Sequence, residues 1–136
     1  MAAVYLQSLN NGNYALQNSD STNKVTVLTA GASGTKIDNI VISSNDTVAR
    51  TLTLYKTIGG VDYILGTVSV TANTGNTTTL PPISFLNNVN VMSGYGSDVN
   101  GNHYIFLESG AVLKASVTVA VSATKAVYVM AQGFDL

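Results

Sequence analysis

From Leu113 to Ser122 the side chains alternate in character almost without exception. Leu113, Ala115, Val117, Val119 and Val121 fall on one side, and Lys114, Ser116, Thr118 and Ser122 on the other, with Ala120 the one apolar intruder. A helix would scatter both sets around its circumference, whereas a strand sends successive side chains to opposite faces. The stretch therefore predicts a strand with one buried face, and no part of the chain shows a helical period with a cap. Elsewhere Val, Ile, Thr and Tyr recur between short clusters of Gly, Asn, Ser and Asp, the vocabulary of strands and turns.

A second signal lies mid-chain. Thr51–Ile58 and Val61–Val70 are separated by Gly59-Gly60, and two glycines supply the positive φ angles of a tight hairpin turn. The turn sets Ile58 opposite Val61, Lys56 opposite Tyr63, Leu54 opposite Leu65 and Leu52 opposite Thr67. Beyond Gly66 the apolar parity switches from Tyr63 and Leu65 to Val68 and Val70, which suggests a β-bulge or a bend between sheets. Near the end, Val127, Val129 and Ala131 alternate with Tyr128, Met130 and Gln132 within Ala126–Phe134. Both faces are fairly apolar, so this strand is either central or covered by a partner.

Further strands are expected at Lys24–Thr29, Lys36–Ser43, Thr77–Leu80 and His103–Glu108. Pro81-Pro82 marks an edge or crossover, because proline cannot donate to a ladder. Ile83–Met92 reads as either a short helix or an irregular strand. Many short strands bounded by turns predict an all-β fold, an antiparallel β-sandwich or jelly-roll-like single domain. The chain divides into residues 24–136, the sandwich, and residues 1–23, which form either an extended N-terminal arm or a first strand with a turn at Asn11-Gly12.

Composition narrows the function. At 136 residues the chain suits one domain. There is no cysteine, which excludes disulfides, a thiolate zinc site and a cysteine nucleophile. A net charge of -1 leaves no electrostatic footprint for nucleic acid or anionic lipid. The opening Met1-Ala2-Ala3-Val4-Tyr5-Leu6 lacks the basic and long apolar regions of a secretory signal, and no apolar run is long enough to span a membrane.

Candidate chemistry is sparse. His103 is the single histidine, and Gly96-Ser97-Asp98 nearby lacks the second glycine of a nucleophile elbow, so no catalytic residue is expected. Asp98-Val99-Asn100-Gly101-Asn102 resembles the start of a calcium loop. Its glycine and its acidic residues do not fall at EF-hand spacing, and Asn-Gly is a common turn, so neither metal nor cofactor is expected. Glu108 is the only glutamate and the aspartates are dispersed, so no carboxylate pair stands out. Tyr95, with Asp98, Asn100 and Asn102, could form a ligand loop in which an aromatic face and amides meet a sugar; equally, Tyr95 could cover its own loop.

The more informative property is diffuse. Charged residues make up 10% of the chain, well below the usual quarter, while the outward strand positions are Thr, Ser, Asn, Ala and Tyr. Such surfaces suit burial in an assembly, although a neutral-surfaced β domain would look the same. The expected contact residues are Tyr5, Leu6, Leu9, Tyr14, Tyr128 and Met130.

Ile40-Val41-Ile42-Ser43-Ser44-Asn45-Asp46-Thr47, followed by Arg50-Thr51-Leu52-Thr53-Leu54-Tyr55, resembles the strand, Asn turn, strand core of small tailed-bacteriophage virion proteins. Leu107-Glu108-Ser109-Gly110-Ala111-Val112-Leu113-Lys114-Ala115, Ala126-Val127-Tyr128-Val129 and Gly133-Phe134-Asp135-Leu136 are similar to the closing strands of capsid decoration (cement, head auxiliary) proteins. The likeness is one of hydrophobic pattern and turns from Ile37 to Leu136. It departs from the pattern at Ala111-Val112, where an acidic residue often follows the glycine. The resemblance implies a non-enzymatic subunit, often a homotrimer, that binds the major capsid protein on the shell exterior after synthesis in the host cytoplasm. The alternatives are another phage head or tail accessory protein, a carbohydrate-binding module or adhesin head using the 93–102 loop, and an all-β hydrolase using His103.

Overall fold

The computed structural model describes residues 8–88, 91 and 95–136. Among the described residues ten strands follow in order: β1 (Leu9–Gln17), β2 (Val25–Thr29), β3 (Thr35–Ser44), β4 (Arg50–Ile58), β5 (Val61–Val70), β6 (Ile83–Ser84), β7 (Gly96–Ser97), β8 (His103–Leu107), β9 (Val112–Val117) and β10 (Ala126–Asp135). A 3-10 turn, Asn18–Asp20, follows β1. Every pairing is antiparallel. The front sheet has the order β1-β10-β3-β8-β7, with β6 also on β3; the back sheet has the order β2-β9-β4-β5. The fold is an antiparallel β-sandwich.

The core lies between the two inner faces. Ile40, Ile42, Val127, Val129, Ala131 and Leu16 come from the front sheet, and Leu52, Leu54, Leu113, Ala115 and Val117 from the back. Ile40, Ile42, Leu52, Leu54 and Leu113 are fully buried, each stabilising the fold by roughly 1.5–3 kcal/mol relative to exposure. β10 is central, between β1 and β3. Residues 9–17 are an edge strand of the front sheet. The turn expected at Asn11-Gly12 does not form, because the ladder runs straight through, with Gly12 opposite Ala131.

Three bulges adjust the parity. The β4–β5 hairpin turns at Gly59-Gly60, both with positive φ, and pairs Ile58 with Val61 and Lys56 with Tyr63. Leu65 is then the extra residue, so Leu54 faces Gly66 and Leu52 faces Val68 rather than Leu65 and Thr67. Gly66 leaves room for Val91 and Phe85; a Cβ there would lie 3.0 Å from one Val91 methyl. Asp38 is the extra residue of β3 and Val27 that of β2. The Val27 bulge closes the corner where the sheets meet: a Cβ on Gly12 would sit 2.0 Å from the Val27 carbonyl oxygen.

Two expectations fail for local reasons. Thr77–Leu80 is not a strand, because the Thr77 hydroxyl accepts the Leu80 amide proton at 3.0 Å and that of Thr79 at 3.3 Å, offering the backbone a turn instead. Val119 is 61% exposed rather than buried, since β9 ends at Val117 and the chain leaves the sheet before Val121 returns to the core. Ile83–Met92 is in part an irregular strand: Ile83-Ser84 pairs with β3, and Phe85 and Leu86 then plunge into the core.

One end of the sandwich is latched by a buried ion pair. Asp46 is fully buried and accepts from Arg50 Nε at 2.8 Å, from the Ser122 hydroxyl at 2.8 Å and from the Ser122 and Val48 amides at 3.1 Å. Its carbonyl accepts from the Asn73 amide at 2.9 Å. Three inter-strand connections are thereby tied together. Burial by itself would raise the Asp46 carboxyl, but the Ser122 amide, the Arg50 guanidinium, the Ser122 hydroxyl and the Val48 amide all favour the anion and hold it well below the usual carboxylate range.

Candidate functional site: the outer face of the front sheet

Cross-strand register builds the site. Side chains directly opposite in an antiparallel ladder share a face. The three middle outward rows of the front sheet are Asn11–Gln132–Asn39, Asn13–Met130–Val41 and Ala15–Tyr128–Ser43, running from β1 through β10 to β3; toward the Phe134 end the next row, Leu9–Phe134–Lys36, carries a cation, and Lys36 pairs with the exposed Asp38 at 3.3 Å. No carboxylate or cation occurs in the nine positions of the three middle rows. Methyl and thioether groups at Ala15, Val41 and Met130 alternate with amides at Asn11, Asn13, Gln132 and Asn39. A groove of about 450 Å³ runs across the middle, lined by Asn13, Ala15, Ser43, Tyr128 and Met130, with Tyr14 and Val129 at its floor.

Tyr128 lies on the middle strand of the face, one row from Met130. It is 38% exposed and also lines two neighbouring depressions, one toward Gln17, Asn18 and Lys125 and one toward Gly75 and Asn76. Asn45 Nδ2 donates to its hydroxyl at 3.5 Å, and Asn45 is itself pinned by the Ala126 amide at 2.8 Å. The ring is thus placed by a central strand and by a turn that the Asp46 latch holds.

The expected contact residues divide. Tyr128 and Met130 lie together on this face. Leu9 is 68% exposed at the start of β1, opposite Phe134. Tyr14 has the opposite parity: it points inward and packs on the core, and its hydroxyl donates to Asp20 at 2.7 Å. That bond to the Asp20 carboxylate, with burial added, raises the Tyr14 phenol above its ordinary value. Tyr5 and Leu6 lie outside the described residues. Ala15, Asn13, Val41 and Ser43 carry no signal in the sequence, because their place on the face depends on pairing with β10, which no local pattern shows.

The expected ligand loop is largely engaged internally. Tyr95 packs against the core, and its hydroxyl donates to the carbonyl of Leu65, the unpaired residue of the β5 bulge. Burial pushes its phenol up to about 12. Asp98 Oδ1 accepts the amide protons of Asn100 at 2.8 Å and Asn102 at 3.0 Å, and the Gly101 amide donates to the Asp98 carbonyl. These bonds make the segment the turn between β7 and β8. The amides of Asn102 and Asn100 hold the Asp98 carboxyl low. Asp98 and Asn102 do line an open polar depression with Lys36, Asp38, Asn39, Asn87 and His103, which Tyr95 and Asn100 do not join. Ser97 lies opposite His103 in the β7–β8 ladder, while the Asp98 carboxylate faces the turn amides. Among the described residues no three His, Cys, Asp or Glu side chains are grouped to hold a metal. Nor is any described helix long and apolar enough to cross a membrane.

No family model matches the chain. No curated protein matches it either. Among solved structures the fold is similar to a chain of the cyanophage Pam1 capsid asymmetric unit. The two are 13% identical, the similarity covers 100% of this chain and 93% of that one, and the TM-score is 0.48.

Proposed function

We propose that this chain is a non-enzymatic structural protein of a phage virion, which decorates and stabilises the capsid exterior through protein–protein contacts. The observation that carries the reading is the uncharged middle of the outer face of the front sheet, three strands wide and three rows long, which holds Tyr128 and Met130. Depletion of charge, with Tyr and Met enriched, is the composition of a buried interface core. About 800 Å² per partner suffices for a specific contact, and repetition over a shell adds avidity to each weak contact. The proposed partners are the major capsid protein and further copies of this chain, assembled as a homotrimer. The strand and turn pattern from Ile37 to Leu136, which resembles decoration proteins, agrees with this placement.

Cryo-electron microscopy of the virion made by the encoding phage tests the reading. The expected result is density for this sandwich on the outer shell, with Tyr128 and Met130 in contact with protein. Particles that lack the chain, or that hold it with this face open to solvent, overturn it.

A further inference from the structure

Asp38, the extra residue of β3, breaks the alternation of its strand. In a regular strand Asp38 and Asn39 would point to opposite faces. At the bulge both turn outward, and both line each of two depressions that meet there. One, of about 260 Å³, reaches back across β10 to β1 and adds the Phe134 ring, Leu9 and the amides of Gln132 and Asn11. The other, of about 530 Å³, reaches toward β8 and adds Lys36, Asn87, Asp98, Asn102 and His103. Together they form one open cleft across β1, β10, β3 and β8, roughly 14 Å from first strand to last. We propose that this cleft binds a short stretch of a neutral glycan. The inference goes beyond the proposed function and does not rest on it: the protein contact centres on Tyr128 and Met130, and the cleft begins one row further along, at Gln132.

The hydrogen-bonding groups of the cleft are open. Elsewhere amides serve the fold: Asn10 donates to the Thr29 carbonyl and to the Asp135 carboxylate, both at 2.9 Å, and Asn18 donates to the Val121 carbonyl at 2.8 Å. The side chains of Asn11, Gln132 and Asn39, in one row on three strands, bond to no described group. An amide both donates and accepts, as a sugar hydroxyl does, so each can exchange water for a hydroxyl with no bond lost. Charge selects among sugars. Two carboxylates, Asp38 and Asp98, stand against one ammonium, Lys36, which disfavours acidic sugars and phosphates. A flat protein surface laid over these charges would strip them of water, whereas hydroxyls replace that water. The Phe134 ring and Leu9 supply an apolar wall for the C–H face of a hexose, and the polar groups beside them fix its orientation. Tyr95 and Asn100, of the loop expected to hold a sugar, line neither depression.

An array of neutral and acidic oligosaccharides tests the inference, followed by NMR titration of the full-length chain with cellohexaose, maltohexaose and chitohexaose. The expected result is binding of a neutral oligosaccharide that shifts the side-chain amide signals of Asn11, Gln132 and Asn39. Asn39→Ala and Gln132→Ala, each compared at a melting temperature equal to wild type, should each raise Kd about tenfold, while Asn100→Ala leaves it unchanged. Failure to bind any neutral glycan, preference for acidic ones, or binding that survives both substitutions overturns the inference. Shifts confined to another face of the wild-type chain overturn it whether or not the variants fold, as does a virion in which protein covers Asn39 and Gln132. A chain that binds the glycan but is absent from virions sinks the capsid reading alone.

Discussion

The two outer faces of the sandwich are built from similar residues and finished differently. On the back sheet, polar groups bond sideways to one another: Thr53 and Thr67 hydroxyls meet at 3.0 Å, and Tyr55 and Ser116 hydroxyls also at 3.0 Å. Lys24 pairs with Asp62 at 2.7 Å while its ammonium sits 4.5 Å from the Tyr55 ring centroid. The front face sets methyls and amides side by side across three strands, with a groove at the centre. A face whose polar groups already satisfy one another gains little from a partner, because docking would exchange bonds rather than add them. A neutral face with apolar bulk gains the removal of that surface from water. On the proposed reading, the front face is the side of this sparsely charged molecule that a partner covers.

The most severe way to break the comparison is to loosen the frame that carries both faces. Asp46→Asn leaves the Arg50 guanidinium, only 9% exposed, without its counter-charge. Losing one partner of a buried pair costs about 3–5 kcal/mol, and the urea midpoint should fall accordingly. The pH dependence has a defined sign. The Asp46 carboxyl is depressed in the folded state, so its contribution is complete above the unfolded value of about 3.9 and is lost as pH falls through the lower folded value. The stability gap between wild type and Asp46→Asn should stay constant above about pH 5 and narrow below about pH 4. A gap that does not change with acid would show that the latch is not ionic.

The second test separates the faces directly. Met130→Asp puts a charge in the centre of the front face, where burial against a partner must desolvate it. Self-association or shell binding, followed by light scattering or co-sedimentation, should weaken at least about tenfold, equivalent to roughly 1.4 kcal/mol. Thr67→Asp on the back face should leave association unchanged. If the two substitutions act alike, the distinction between the faces is wrong.

How much of this was legible in the sequence follows from the range of the interactions. The β4–β5 hairpin was readable because Gly59-Gly60 fixes its register locally, and even its bulge showed as a parity change at Gly66. The Asp38 bulge hid inside Ile37-Asp38-Asn39-Ile40, which reads as an ordinary strand until its partner is known. Neighbours in the front sheet were invisible: Leu9 pairs with Phe134 from the far end of the chain. The candidate face was half legible. Tyr128 and Met130 stood out because β10 is apolar on both sides, whereas Val41 and Ala15 join them only through register. Leu9 and Tyr14 could not share a face in one regular strand, since their positions differ by an odd number. That parity was available and would have placed Tyr14 inside.

The smallest effect sharpens the comparison from the other side. Tyr55→Phe removes the back-face hydroxyl that bonds Ser116 and leaves the ring beneath Lys24. A neutral, partly buried hydrogen bond of this kind is worth about 0.5–1.5 kcal/mol, so the urea midpoint should drop slightly. Association should not move, because the bond serves the sheet itself. The cation over the ring and the Lys24–Asp62 pair are exposed and should be sensitive to salt, with no measurable loss of stability when Lys24→Ala removes both. If Tyr55→Phe instead weakens association while stability holds, the back face is also a contact surface, and the lateral bonds seen there are a resting arrangement that a partner replaces.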